Sequence, residues 1–149
     1  MRLIKASSDD IDAIAPLFDA YRQFYEQAPD LDLAQKYVTE RLAQDEATIF
    51  LCRDDDQTPL GFTLLYRTFC SVAASKVYVL YDLYVAQTAR RRGVATALMS
   101  RAQSFALEHG AAWLKLETAI DNTPGQALYE KMGWERDEAF YTYHYSSDT

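Results

Sequence analysis

The stretch Val77 to Ser100, VYVLYDLYVAQTARRRGVATALMS, constrains the fold more than any other part of this chain. Val77 to Val85 is rich in Val, Tyr and Leu, the composition of a buried strand. After a short polar loop, Arg90-Arg91-Arg92-Gly93-Val94-Ala95 opens an apolar-periodic helix. That helix carries Val94, Ala97, Leu98, Ala102, Phe105 and Ala106 on one face and stops near His109-Gly110, where Gly serves as a left-handed cap. Ala111 to Thr118, AAWLKLET, reads as the next strand. A strand, helix, strand passage requires a right-handed crossover and parallel pairing, so the helix N-terminus lies at the end the two strands share.

This turn is suited to an anion. The first N–H groups of a helix have no intrahelical acceptor, and the aligned peptide dipoles leave partial positive charge there. Gly93 lets ligand atoms approach the backbone without meeting a Cβ, and Ala95 keeps a second position small. Three arginines add forked donors that match phosphate oxygens. The competing reading is a solvated basic turn before an ordinary helix, because short patterns such as R-x-x-G-x-A recur by chance.

Around this centre the elements fall in a mixed order. Met1 to Ala6 alternates as a short strand, and Ser7 and Ser8 precede acids and an apolar series, Ile11, Ile14, Ala15, Phe18, Tyr21, that predicts a capped helix to about Tyr25. Leu33 to Leu42 predicts a second helix, and Tyr21, Phe24, Tyr25 and Tyr37 cluster near the junction as core residues, one or two of them free to line a pocket. Ala47 to Arg53 and Leu60 to Thr68 read as antiparallel strands about the turn 54–59. Thr123 as N-cap, Pro124 at the first helical position and Gln126 at the third predict a capping box and a short helix to Met132, closed by Gly133. The tail alternates Phe140, Thr142, His144 against Tyr141, Tyr143, Tyr145, the pattern of a final strand, with Trp134 to Arg136 as another candidate. The whole is an α/β chain with an α+β mixed sheet, not a repeat architecture.

At 149 residues the chain is read as one domain, 1–149. No apolar run reaches the length of a membrane span, and MRLIKASSDD turns acidic at once without a signal-peptide core, so a cytoplasmic protein with no membrane partner is expected. A net charge of −7 argues against general nucleic-acid binding and leaves only the local patch Arg90 to Arg92. Cys52 and Cys70 match no metal-ligand spacing and read as buried thiols, with a disulfide left open, and no metal is expected.

Three segments carry a resemblance when taken in order: D-L-Y-V at Asp82 to Val85, R-x-x-G-x-A at Arg90 to Ala95, and N-x-x-x-x-A-L-Y-E-K-M-G-W from Asn122 to Trp134. Together they resemble the GNAT superfamily of acyl-CoA N-acyltransferases. Within it the chain is most similar to the subgroup containing fungal histone and polyamine acetyltransferases, through Phe18, Tyr21, Phe24 and Tyr25 of the first helix and Y-x-D-L-Y-V. The resemblance implies the GNAT fold: a mostly antiparallel central sheet with one parallel, splayed pair of strands and flanking helices, with acetyl-CoA in the gap.

It also implies roles residue by residue. Leu83, Tyr84 and Val85 would bind the pantetheine arm and thioester through the central strand. Arg90, Arg91, Arg92, Gly93, Val94, Ala95 and Thr96 would take the pyrophosphate. Asn122 and Ala127 would flank the pantetheine, and Tyr129 would sit beside the sulfur as proton donor. Ala95 stands where glycine is commoner. Asp82 and Glu117 are the candidate bases, each equally readable as a structural partner of a cation or backbone amide.

Transfer from a thioester to an amine needs a neutral amine and a protonated leaving thiolate, and alkyl ammonium groups are almost wholly charged at neutral pH. The implied activity is therefore acetyl-CoA-dependent N-acetyltransfer, made directly to a primary amine of a small molecule or peptide. Neither Cys has a neighbouring His to support an acyl-enzyme. A non-catalytic acyl-CoA-binding sensor on the same fold is the alternative, and Tyr129 with Asn122 favours the enzyme. A generic nucleotide-binding domain lacks its Walker lysine, since R-R-R-G is not G-K-[ST]. The aromatic tail leaves room for a homodimer.

Overall fold

The computed structural model describes residues 1–147, which fall into two compact units, Met1–Glu117 and the residues from 118 onward. The first unit is built on a five-stranded sheet in the order β1-β2-β3-β4-β5, comprising β1 (Arg2–Lys5), β2 (Ala47–Arg53), β3 (Pro59–Cys70), β4 (Ser75–Val85) and β5 (Leu114–Lys115). The first three pairings are antiparallel and the last is parallel, Tyr78 opposite Leu114 and Val79 opposite Lys115. This is the mixed sheet with one parallel pair that the sequence pattern predicts.

Helices α1 (Ile11–Phe24) and α2 (Leu31–Ala43) cover one face, and α3 (Val94–Glu108) covers the other. Alternation along the strands sorts the core between them. Ile49, Leu51, Phe62 and Leu64 pack with Ile14, Phe18 and Val38 of α1 and α2. Phe50 and Tyr78 turn the opposite way, meeting the ring of Phe105 at 5.4 and 5.5 Å between centroids. Ser7 caps a single 3-10 turn ahead of α1 in a reciprocal box with Asp10, and Asp30 caps α2 by accepting from the Leu33 N–H at 3.0 Å. Cys52 is buried, Cys70 is half-buried, and both are free thiols.

Three sequence expectations change. The strand expected over 111–118 shortens to Leu114–Lys115: before the ladder forms, the Ala112 N–H donates to the Lys76 carbonyl at 2.9 Å and the Trp113 carbonyl accepts from the Tyr78 N–H at 3.2 Å, and the ladder ends after Lys115. In the second unit, helix α4 (Thr123–Lys131) is capped by Asn122 and not Thr123. The Asn122 Oδ1 accepts from the Gly125 N–H at 3.2 Å, while Gln126 reaches back to donate to the carbonyls of Ala119 and Ile120, so the expected box does not close. Residues 134–147 form no strand: without a ladder partner the alternating aromatics Phe140, Tyr141, Tyr143 and Tyr145 stay exposed, Tyr145 fully. No helix among the described residues is long and apolar enough to cross a membrane.

Candidate active site

The parallel pairing stops at Val79, yet β4 runs on for six more residues, 80–85, with no ladder partner on its β5 side among the described residues. That unpaired edge holds Asp82, Leu83, Tyr84 and Val85, four of the residues singled out from sequence. It also contains a bulge. Leu64 of β3 faces Asp82 while Leu65 faces Leu80, so Tyr81 is the extra residue and the strand kinks there. A bulge beside an open strand edge re-aims side chains and frees backbone groups that a regular ladder would consume.

Asp82 is 7% exposed and lies on the α1 side of the sheet. Burial pushes its carboxyl up to about 6, and a hydrogen bond from the Tyr21 hydroxyl opposes the rise. Tyr21 is itself held in place, its ring 6.0 Å from Phe62 and 6.1 Å from Tyr84. The Asp82 backbone is anchored separately, since the buried Thr63 hydroxyl donates to its carbonyl at 2.8 Å. Glu117, the second candidate base, lies past the end of β5 with an exposed side chain.

Beyond Val85 a single 3-10 turn, Gln87–Ala89, leads into the arginine segment. Arg91 and Gly93 both adopt left-handed backbone, with φ of 65° and 79°. The first hydrogen bond of α3 runs from the Ala97 N–H to the Gly93 carbonyl at 3.1 Å, so the N–H groups of Val94, Ala95 and Thr96 precede the helical ladder. A Cβ built on Gly93 meets nothing within 4 Å, so the space over this turn is open. Left-handed residues alternating with ordinary ones before a helix start turn successive backbone N–H groups inward, the kind of amide cradle that binds phosphate oxygens.

The three arginines divide. Arg90 folds back so that Nε donates to the Val85 carbonyl at 3.2 Å, with its guanidinium 5.9 Å from the Tyr84 ring centre. Arg92 pairs with Asp54 at 3.1 Å, and that carboxyl is held below its usual range by the Asp55 N–H and then by Arg92. Arg91 makes no ion pair among the described residues. One residue of this region escaped the sequence reading. A Cβ on Gly61 would lie 2.7 Å from the Tyr84 carbonyl and 3.2 Å from Val94 Cγ1. Glycine there lets the start of α3 sit directly on the end of β3 and β4, and its position inside an apolar strand was the available signal.

In the second unit Asn122 spends both side-chain atoms locally. Its Oδ1 caps α4 and its Nδ2 donates to the Thr118 hydroxyl at 2.9 Å. On α4 Ala127 is exposed and Tyr129 half-buried. Among the described residues no group of three or more His, Cys, Asp or Glu is placed to hold a metal ion.

Residues 12–134 match the acetyltransferase (GNAT) family. The chain is 40% identical over 143 residues to an uncharacterized N-acetyltransferase, YhfO, of Bacillus subtilis, covering 96% of this chain and 95% of that one. It is 31% identical over 102 residues to an aminoglycoside N(6')-acetyltransferase type 1 of Serratia marcescens, covering 66% of this chain and 70% of the other. A crystal structure of a probable acetyltransferase superposes with a TM-score of 0.95 at 35% identity, over 100% of this chain and 99% of that one. The fold and the strand, turn and helix just described are those of an acyl-group transferase. The chain belongs to the GNAT family and is an enzyme of the N-acetyltransferase class.

Proposed function

We propose that this chain is a single-domain, cytoplasmic enzyme that transfers an acetyl group from acetyl-CoA directly to a primary amine of a small molecule or peptide. The observation that carries this is the continuity of one edge: a strand edge left without a ladder partner on its β5 side, with a bulge and a buried acid, leads straight into a left-handed turn and a helix N-terminus. A long donor with an anionic end and a reactive thioester end has a matching partner at each point. The diphosphate takes the backbone N–H groups of 91–96 and the Arg91 side chain. The pantetheine arm pairs along 83–85 as a surrogate strand, which places the thioester near the bulge.

The chemistry follows from these roles. Asp82 takes a proton from the acceptor's ammonium group, and the free amine attacks the thioester carbonyl carbon. The carbonyl–sulfur bond breaks as the amide forms, and the departing thiolate is protonated, a role the reading gives to Tyr129. Asp82 suits the base because its raised carboxyl lies nearer to operating pH than an ordinary aspartate, which narrows the gap to the ammonium. The free thiol released per acetylated amine tests the scheme. Thiol appearing only when an amine is present supports direct transfer. Binding of acetyl-CoA with no release for any amine would leave a sensor, not an enzyme.

A further inference from the structure

Regular alternation along β4 would send Tyr81 and Asp82 to opposite faces of the sheet. The bulge undoes that. Tyr66 packs against the core of α1 and α2, and its ring meets the ring of Tyr81 edge-on at 5.3 Å, so Tyr81 lies over the face on which Asp82 meets Tyr21. A ring that is 64% exposed therefore stands beside a carboxyl that is almost wholly buried.

The ring is braced from behind. The hydroxyls of Tyr66 and Tyr37 are hydrogen-bonded to each other, and the Tyr37 ring stacks on Phe18 of α1 at 5.4 Å. Burial, the bond to Tyr37 and the charge of Asp82 all raise the Tyr66 phenol, so it stays neutral. Further along β4, past Asp82, come Tyr84 and, against it, Tyr21, with their ring centres 6.1 Å apart. Asp82 is thus set among the tyrosine rings of 81, 66, 21 and 84.

The charges around these rings are either spent or negative. Among the described residues Asp82 makes no ion pair, and burial and the Tyr21 hydroxyl are what act on its carboxyl. Arg90, 5.9 Å from the Tyr84 ring centre, already donates to the Val85 carbonyl. Arg41, 4.7 Å from the Tyr37 ring centre, pairs with Glu46 at 3.1 Å and with Glu40 at 3.5 Å, one base against two acids. Tyrosine faces are electron-rich, so they attract a cation, take methylene groups by apolar contact and repel an anion. A carboxylate brought here would lose its water and gain no partner.

Resting on the acetyltransfer reading, we propose that Tyr81 seats the acceptor and that the acceptor is a primary alkylamine bearing no carboxylate. Its ammonium passes across the Tyr81 ring to Asp82, and its methylene arm lies back along the rings of Tyr81 and Tyr66. The ammonium gives a proton to Asp82, the nitrogen bonds to the acetyl carbonyl carbon, and the carbon–sulfur bond breaks as the sulfur leaves and takes up a proton. The products are the N-acetylalkylamine and CoA.

Two pairs of acceptors matched in length isolate the carboxylate: hexylamine against 6-aminohexanoate, and cadaverine against lysine. With saturating acetyl-CoA, kcat/KM from thiol release should favour the member without the carboxylate by about tenfold or more in each pair. Tyr81→Leu should lower kcat/KM for hexylamine by about fivefold or more, through KM rather than kcat, and Tyr81→Phe should restore it, because the ring and not the hydroxyl makes the contact. Each protein is also titrated calorimetrically with acetyl-CoA. Failure of the folded chain to bind acetyl-CoA overturns the parent reading and this proposal with it. With acetyl-CoA binding intact, four results overturn the alkylamine proposal alone: no turnover of hexylamine and cadaverine, a carboxylate-bearing member that equals or exceeds its partner, a KM that Tyr81→Leu does not move, or a Tyr81→Phe enzyme as impaired as Tyr81→Leu.

Discussion

At Asp82, burial raises the carboxyl and a single hydroxyl partner lowers it, and the balance leaves it at about 6 against an ordinary 3.8. The folded protein therefore binds more protons at this position than the unfolded chain between those two values. The contribution of this group to stability is full below that window and falls as pH rises through it, by up to about 3 kcal/mol. Asp82→Asn should accordingly melt at a higher temperature than the parent at pH 8 and show no such gain at pH 3.5, as read by thermal unfolding at the two pH values. The same variant should lose about 10²–10⁴-fold in kcat/KM, the usual worth of a general base, and lose the acidic limb of its pH profile. Tyr21→Phe removes the hydrogen bond that opposes the rise. The acidic limb should then move to higher pH, and a limb that stays in place would detach Tyr21 from the catalytic carboxyl.

The elements around the site were legible in unequal measure. The strand, basic turn and helix of 77–108 could be read because each signal is local: apolar runs, a glycine at a helix start, and a glycine at its end. Gly93 and Gly110 do adopt left-handed backbone, φ 79° and 77°. Gly93→Val would put a β-branched residue into that conformation and a side chain into the open space over the turn. Its affinity for acetyl-CoA should fall at least tenfold in a calorimetric titration, and an unchanged affinity would place the phosphate site elsewhere. The bulge at Tyr81 was not legible, because a bulge belongs to two paired strands and alternation is read along one. Gly61 shows the same limit: what demands glycine is the Tyr84 carbonyl and Val94, more than twenty residues on. Gly61→Ala has to shift one of them, and should lower both the melting temperature and acetyl-CoA affinity. Asn122 prevailed over Thr123 as the cap of α4 because both residue types cap well and the reach to the Gly125 N–H decides between them. Asn122→Ala should cost about 1 kcal/mol of local stability, seen as faster amide exchange over 123–131.

Across the whole molecule, the order of motifs outweighed any one of them. D-L-Y-V, R-x-x-G-x-A and the run from Asn122 to Trp134 are each weak, yet in sequence they resembled the family that residues 12–134 match. Most of the first-half elements followed from helical and strand periodicity, and β2 and β3 came out where alternation and the turn at 54–59 placed them. The tail did not, because alternation shows that a segment can form a strand and says nothing of which edge receives it. The hydroxyl pair of Tyr37 and Tyr66 and the ring contact of Tyr66 with Tyr81 were equally out of reach, since the three residues lie on three elements and meet only in the folded chain.

The most direct measurement is a calorimetric titration of the full chain with acetyl-CoA, with Gly93→Val alongside. One site per chain with micromolar affinity, lost in the variant, is the expected result. No heat of binding up to millimolar acetyl-CoA, from a protein shown to be folded, would contradict the acetyl-CoA-dependent reading at its root.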